Sequence, residues 1–429
     1  MKTMDVRQDN SSRFDEKLPM IAFRSASPQF LQIRLYICVG EEPSVMVWEP
    51  TMTPLALLFI LSFLVCVDLR ILTPVLPSIS DSLGSSPGTV GLAMTAYSIT
   101  YGLGQLFYGP LSDRSSRIAV VRAASVGFSV FTILSALAAT TGQFIGARLL
   151  AGAFAGAVIP LTLVYIGDTI AYERRHIVLG RFSIITAFAM AFSASIGGTV
   201  AHFISWRFML VGYGLLALIP IGLMWRIKIP PPAAGPDVSA GFSEILRDRR
   251  AQFVYIAVFL EGFLLWGGMT YLGAFATRQY GFDQFIVGLL IALFGIGIMV
   301  GGFLMDRIRR RFSENGLAAL GGLLMGASYL SLIPKWPFII FAISLFLMGL
   351  GYVSLHTTLQ VRGTEISPAA RGKAFSLFTF TLFTGIAAGS ALFGRLVDAG
   401  RYETMFVIAG IGLIVIGLAT TLSPPRSAS

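Results

Sequence analysis

Four charged residues lie inside long apolar runs, where ionisable side chains are rare and usually functional. They are two acids and two arginines: Asp68, Arg70, Arg148 and Glu261. Burial in an apolar environment favours the protonated carboxyl group, and a neighbouring arginine favours the carboxylate. A carboxyl group that alternates between such surroundings takes up and releases a proton. The four residues therefore predict proton coupling or a substrate site in a central cavity, with Arg70 as an ion-pair partner or substrate contact; a static ion pair of Asp68 with either arginine is the alternative.

Four further residues are candidates for a ligand pocket: Phe263, Trp266, Tyr271 and His356. Aromatic rings bind lipophilic or cationic ligands by stacking, and histidine titrates near neutral pH. Each also has a structural explanation, because aromatic residues at helical spacing often pack against other helices or face lipid, and a histidine can fill a packing role. The sequence leaves both alternatives open.

A charged turn follows one apolar run and recurs after a later one. In both copies an aspartate lies four positions after a glycine, and arginines lie five and eight positions after it. The copies are 193 residues apart (113 to 306): Gly109, Asp113, Arg114 and Arg117, then Gly302, Asp306, Arg307 and Arg310. We predict that both turns gate a conformational change through charge-assisted hydrogen bonds to neighbouring helix ends. Contact with substrate is the alternative.

A second pair of turns indicates that the chain is internally duplicated. Asp168 and Arg174 bracket one turn, and Glu365 and Arg371 bracket another, 197 residues later (168 to 365). Glu261 also follows Asp68 by 193 residues. Repeats at such similar offsets predict two six-helix halves. We predict a gating role for the four turn residues as well.

Twelve apolar runs of about 20 residues hold these side chains, each long enough to cross a hydrocarbon layer of about 30 Å as a helix. The predicted spans are 54–76, 88–110, 117–139, 142–165, 178–203, 207–227, 251–275, 284–305, 314–333, 337–359, 371–394 and 403–422. The predicted fold is an all-α integral membrane protein with twelve transmembrane helices in two pseudo-symmetric halves, 51–227 and 251–422. A proline-rich and then charged linker, 228–250, joins them. We expect a disordered tail at 1–50 and a short tail at 423–429.

The composition indicates that lipid is the solvent. Of the 429 residues, 55% are hydrophobic and 13% charged, and the mean hydropathy is +0.76. The formal charge of +10 comes from lysines and arginines in short turns on one side of the predicted membrane, which is typical of a cytoplasmic face and not of a nucleic-acid surface. We predict a multi-pass, monomeric protein of the bacterial inner membrane, with both termini and the linker cytoplasmic.

No motif of an enzyme or of a bound metal is present. The two cysteines, Cys38 and Cys66, have no metal-ligand spacing, and HExxH, CxxC and P-loop patterns are absent. We therefore expect no cofactor, with the proton as coupling ion. The expected partners are a small-molecule substrate and the lipid bilayer.

The six-plus-six arrangement, the linker and the repeated Gly-x-x-x-Asp-Arg-x-x-Arg turn resemble the major facilitator superfamily over roughly residues 54–422. Two segments resemble its twelve-helix drug:proton antiporter branch. One runs from Phe144 to Gly156, where Arg148 precedes a glycine-rich face; the other runs from Val67 to Pro77.

The chain departs from these family patterns at two places. Ser116 and Ile118 stand where the turn motif usually has a glycine and a basic residue, and Ser193-Ala194 stands where the antiporter branch has Gly-Pro. The resemblance implies a secondary transporter working by alternating access, and we expect proton-coupled efflux of small lipophilic or drug-like molecules. The alternatives are a sugar or metabolite transporter of the same fold and a non-transporting membrane receptor or scaffold.

Overall fold

The described part of the chain is built from helices. The structure, a computed structural model, describes residues 52–227, 242–334, 336–367 and 371–422. The predicted tails and most of the predicted linker lie outside these residues. No strand occurs in the described ranges, and ten helical segments there are long and apolar enough to cross a bilayer. The predicted all-α membrane fold is confirmed.

The helices follow the order of the predicted spans. The early helices are α1 (Met52–Asp68), α2 (Leu76–Ser82), α3 (Pro87–Arg114), α4 (Arg117–Ala136), α5 (Thr141–Ala155), α6 (Val158–Thr169), α7 (Tyr172–Phe203) and α8 (Trp206–Met224). The late helices are α9 (Phe242–Arg247), α10 (Arg249–Glu261), α11 (Gly267–Met269), α12 (Leu272–Tyr280), α13 (Gln284–Arg309), α14 (Glu314–Leu330), α15 (Phe338–Glu365), α16 (Arg371–Asp398) and α17 (Tyr402–Ala419). Helices α3 and α14 are outside the ten apolar segments but hold the second and ninth places of the predicted twelve.

Polar caps explain why several helices begin within one residue of the predicted positions. Ser86, Thr140, Ser205, Asp283 and Ser313 precede α3, α5, α8, α13 and α14, and each side chain accepts a hydrogen bond from a backbone N–H of the first turn. Such a cap satisfies one of the N–H groups that a helix start leaves unpaired. In lipid an unpaired group is more costly than in water.

Three helices predicted to be continuous are broken; one break separates α5 from α6 at 156–157, and the other two follow a buried acid. Helix α1 ends at Asp68, and a 3₁₀ turn at Thr73–Val75 leads into α2. Helix α10 ends at Glu261 and continues through a π-helical turn, Gly262–Trp266. Pro74 contributes to the first break because proline lacks an N–H and disfavours helical backbone in the residue before it. Irregular turns of this kind occur frequently at functional sites.

Two long helix pairs join the early and late helices, α3 with α16 and α7 with α13. The second pair depends on Gly295, where a Cβ atom would lie 2.0 Å from the Cα atom of Ala191. Small residues allow this close approach. In lipid, helices associate through such close packing, because an apolar side chain is surrounded by apolar atoms whether it contacts a helix or a lipid tail. The predicted division into two halves at the linker stays a prediction.

The early and late helices are fastened to each other near the start of α3 and the end of α16, which we call the Asp398 end. Asp398 accepts hydrogen bonds from the Gly88 N–H (2.8 Å) and the Ser86 hydroxyl (2.7 Å). On the other helix pair, Ser78 donates to Gln284 (2.8 Å). The hydrogen bonds and ion pairs between described residues of early and late helices all involve the same regions. These are α2, the beginnings of α3 and α13 with the residues directly before them, and the second halves of α7 and α16. The Asp398 end is therefore closed.

Candidate functional site

Asp68 and Arg148 form a fully buried, two-pronged ion pair. The two terminal guanidinium nitrogens of Arg148 donate to the two carboxylate oxygens of Asp68 at 3.1 and 2.8 Å, and both side chains are 0% exposed. The ring of Tyr97 lies 4.4 Å from the guanidinium carbon. The paired geometry compensates two charges that would each be costly in an apolar interior.

The backbone around Asp68 is anchored by two side chains from other helices. Ser193 of α7 donates to the carbonyl of Val67 at 2.5 Å, and the Tyr213 hydroxyl of α8 donates to the carbonyl of Leu64. Both carbonyls lie in the last turn of α1, and the Val67 carbonyl also accepts from the backbone N–H groups of Arg70 (3.2 Å) and Ile71 (3.1 Å). These bonds hold the carboxylate in position for Arg148.

Arg70 follows the break and has a different environment. Its guanidinium carbon lies 3.7 Å from the centroid of the Trp266 ring, and the side chain is 8% exposed. Its Nε atom is buried without a hydrogen-bond partner. Among the described residues, no carboxylate pairs with Arg70. The guanidinium thus stacks on an aromatic face and has no carboxylate partner among the described residues.

A small cavity of about 10 Å³ opens beside Arg70, with room for about one water molecule. Its lining combines early and late helices and is mainly apolar and aromatic: Arg70, Thr73, Met190, Ala194, Trp266, Met269, Ile291 and Phe294. Of the four charged residues predicted for a central cavity, Arg70 is in this lining; Asp68, Arg148 and Glu261 lie outside it. Trp266 is the one predicted pocket residue that the lining includes.

Glu261 is paired with His356, a partner that the sequence analysis missed. Nδ1 of His356, on α15, lies 2.9 Å from one carboxylate oxygen of Glu261. Glu261 is 0% exposed, and its other oxygen has no partner. No basic residue lies within one turn of Glu261 on its own helix, so the partner comes from another helix. A carboxylate and an imidazole that share one hydrogen bond can hold a proton on either side of it.

Tyr352 connects this pair to the cavity. Its ring stacks on His356, with centroids 4.8 Å apart, and meets Trp266 edge-on at 5.1 Å. The π-helical turn allows Tyr352 to contact Trp266 as well as His356, because it brings Trp266 to the side of its helix on which Glu261 lies. In an α-helix, residues five apart point about 140° away from each other, whereas in a π-turn they lie on nearly the same side. Glu261 and Trp266 therefore both face α15.

The other two predicted pocket residues pack away from the cavity. The Tyr271 hydroxyl donates to the carbonyl of Ser390 at 2.6 Å and is fully buried. Phe263 meets Phe393 edge-on, with centroids 5.3 Å apart. Both contacts join the π-turn region to α16, so these side chains support helix packing.

The earlier charged turn contains an ion pair. Arg117 donates to Asp168 at 3.1 Å and to the Ser112 hydroxyl at 2.8 Å. In the later copy three exposed side chains form no ion pair with a described residue: Asp306, Arg307 and Arg310. Two further residues, Arg174 and Glu365, are also exposed. The side chains of Asp113, Arg114 and Arg371 lie outside the described part, and the gating role stays a prediction.

The Arg117–Asp168 pair has a charge-reversed counterpart that the repeats did not indicate. Arg362 donates to Glu314 at 2.7 Å and to Asn315 at 2.5 Å. Glu314 follows Arg117 by 197 residues (117 to 314), and Arg362 follows Asp168 by 194 (168 to 362). The acid and the arginine have exchanged helices while the contact has been kept. A search for identical residues at a fixed offset cannot detect such an exchange. Gly109 and Gly302, by contrast, have open space around them.

No cluster of histidine, cysteine and acidic residues suited to a metal occurs in the part of the chain that the structure describes.

Comparison with known proteins places this geometry in a family. The profile of the Major Facilitator Superfamily matches residues 58–361. The chain is 27% identical over 378 residues to the uncharacterized MFS-type transporter YceJ of Bacillus subtilis (strain 168), covering 85% of this chain and 94% of that protein. It is 27% identical over 349 residues to a probable sugar efflux transporter of Helicobacter pylori (strain G27), covering 80% and 88%.

A solved structure has the same fold. It is a bacterial homologue of the human lysosomal transporter Spinster in an inward-facing, unoccupied conformation, with a TM-score of 0.72 at 16% identity. The likeness covers 89% of this chain and all of that one. At this identity it shows the fold alone.

Proposed function

Because this chain belongs to the Major Facilitator Superfamily, whose members are multi-pass membrane transporters and not enzymes, we propose that it exports small, mainly apolar organic molecules in exchange for protons. Such exchange requires a substrate site and a proton site whose occupancies influence each other through two alternating conformations. The resemblance to the drug:proton antiporter branch supports the same proposal.

The observation that carries the proposal is the contact series from the cavity to the Glu261–His356 pair. Trp266 lines the cavity, Tyr352 touches both Trp266 and His356, and His356 bonds Glu261. A change of protonation at the pair alters its hydrogen bond and charge, and Tyr352 is in position to transmit the change to Trp266. Binding of substrate beside Trp266 and binding of a proton at the Glu261–His356 pair then oppose each other through the ring of Tyr352.

The lining supports an apolar substrate better than a sugar. A sugar needs several hydrogen-bonding partners, and a site built to bind its hydroxyls contains matching polar groups. Thr73 and Arg70 are the polar members of the lining, and Arg70 already covers one face of Trp266. Sugar efflux is the second candidate because the Helicobacter relative is named for it.

The closed Asp398 end supports alternating access. Under the predicted orientation this end faces outward, and we propose that the opposite, cytoplasmic end opens in its turn. The turns with Arg117 and Arg310 lie at the opposite helix ends, where we propose that their charged residues gate the closing of that end. The proposal includes a monomer in the bacterial inner membrane with both termini cytoplasmic. A non-transporting scaffold would have no use for the cavity.

The test is accumulation by inside-out vesicles containing the full chain, with an imposed acid interior. The probes are a panel of neutral aromatic compounds including 1-naphthalenesulfonamide, and radiolabelled xylose as the sugar. We expect uptake of aromatic probes that is lost in Glu261→Gln and kept in Glu403→Gln, a matched change at an exposed acid in the first turn of α17. Uptake by Glu261→Gln at the normal level would overturn the proton role. Uptake of xylose alone would establish the second candidate.

A further inference from the structure

The buried charges near the cavity do not balance. Asp68 is paired with Arg148 and Glu261 with His356. Arg70 is also buried, at 8% exposure, and has no acidic partner among the described residues. An arginine inside a membrane protein is normally paired or directed at a water-filled or ligand-filled space, because an uncompensated buried cation is costly.

This guanidinium belongs to a residue that lines the cavity. Trp266 covers one of its faces at 3.7 Å, which leaves the N–H groups at its edge to bind in the plane. A planar fork of donors matches the oxygens of a carboxylate, sulfonate or phosphate group. The buried Nε atom without a partner is one such donor.

The rest of the lining would receive an apolar body. Met269, Ile291 and Phe294 lie in the same cavity on late helices, and Met190 lies on α7. Methionine side chains adapt to ligands of different shapes because they are flexible and polarizable. The present volume of about 10 Å³ is too small for such a ligand, so the cavity must widen when the helices move during alternating access.

We propose that the cavity selects amphipathic organic anions: molecules with an apolar, preferably aromatic body and one carboxylate- or sulfonate-like group that binds Arg70. This inference rests on the proposed function, since it concerns the same cavity and names its class of substrate. It predicts that charge, and not only apolar surface, decides which compounds bind.

The test compares three probes of similar shape: 1-naphthalenesulfonate, the neutral 1-naphthalenesulfonamide and the cationic 1-naphthylmethylammonium. The full chain is reconstituted in phosphatidylcholine nanodiscs, and Kd is measured by calorimetry against empty nanodiscs. We expect the sulfonate to bind at least about tenfold more tightly than the sulfonamide, the magnitude of one charge-assisted hydrogen bond. The ammonium compound should bind most weakly.

Substitutions then assign the preference to one side chain. Arg70→Gln should reduce the sulfonate-to-sulfonamide ratio to about one while sulfonamide binding is kept, and Arg70→Lys should keep part of the preference. Arg122→Gln is the matched control, because Arg122 stacks on Trp225 at 4.1 Å and neither residue lines the cavity. That variant should keep the full ratio.

Three results overturn the inference. The first is equal binding of sulfonate and sulfonamide by the unmodified chain, which leaves the proposed export of apolar molecules standing. The second is a preference that survives in Arg70→Gln or disappears equally in Arg122→Gln. The third is a failure of all three probes to bind; if pH-driven uptake of the aromatic panel is also absent, the proposed function fails with it.

Discussion

Breaking the Asp68–Arg148 pair on one side should destabilise the protein far more than removing it altogether. In Asp68→Asn the guanidinium of Arg148 stays in a site with 0% exposure but loses the charge that compensates it. Removing one partner of a buried ion pair costs about 3–5 kcal/mol. Replacing both partners by apolar residues is often neutral, or stabilising by about 1–4 kcal/mol. Asp68→Leu combined with Arg148→Met should therefore be more stable than Asp68→Asn.

The assay is thermal unfolding of the purified full chain in one detergent, followed by tryptophan fluorescence. We expect Asp68→Asn to lower the apparent Tm by several degrees, and the double variant to recover most of that loss. Glu314→Gln is the control, because its pair with Arg362 is 45% exposed at the acid and a surface pair contributes no more than about 1 kcal/mol. The reasoning is refuted if Asp68→Asn is as stable as Glu314→Gln, or if the double variant is the least stable of the three.

Two further predictions concern contacts between the early and late helices. Asp398→Ala removes the acceptor for the Gly88 N–H at the start of α3. Amide hydrogen exchange in that turn should become roughly fivefold faster, because a lost cap costs about 1 kcal/mol. Unchanged exchange would show that Asp398 does not hold this end closed. Gly295→Ala places a methyl group 2.0 Å from the Cα atom of Ala191 and should sharply lower the yield of folded protein. Gly302→Ala is the control, because its methyl group meets open space, and it should express normally. Equal yields of the two variants would contradict the close helix contact.

Much of the architecture is predictable from the sequence because lipid imposes strict rules. Every backbone polar group must be satisfied inside the membrane, so long apolar runs become helices. Caps such as Ser86 and Asp283 then mark where helices begin, because each accepts a hydrogen bond from the first turn of the helix that follows it. The same rules identify the charged residues: Asp68, Arg148 and Glu261 are conspicuous because a charge in an apolar run is costly. Their roles stay predictions.

The helix breaks were not predictable in the same way. Hydropathy is insensitive to a π-turn, because Gly262–Trp266 is as apolar as the helices on either side. The π-turn changes the direction in which the following side chains point, and it leaves the apolar composition of the run unchanged. It nevertheless decides that Glu261 and Trp266 face the same neighbouring helix.

The sequence by itself determined the solvent, the helical fold, the repeat and the short list of costly charges. Only the tertiary structure decided how those charges are partnered. His356 lies 95 residues from Glu261, and Trp266 lies on a late helix while Arg70 follows the first. Such contacts depend on how helices rotate and approach each other, which is set by packing at residues such as Gly295 and Ala191. No local pattern encodes that rotation, and it leaves Arg70 as a buried cation without a carboxylate among the described residues.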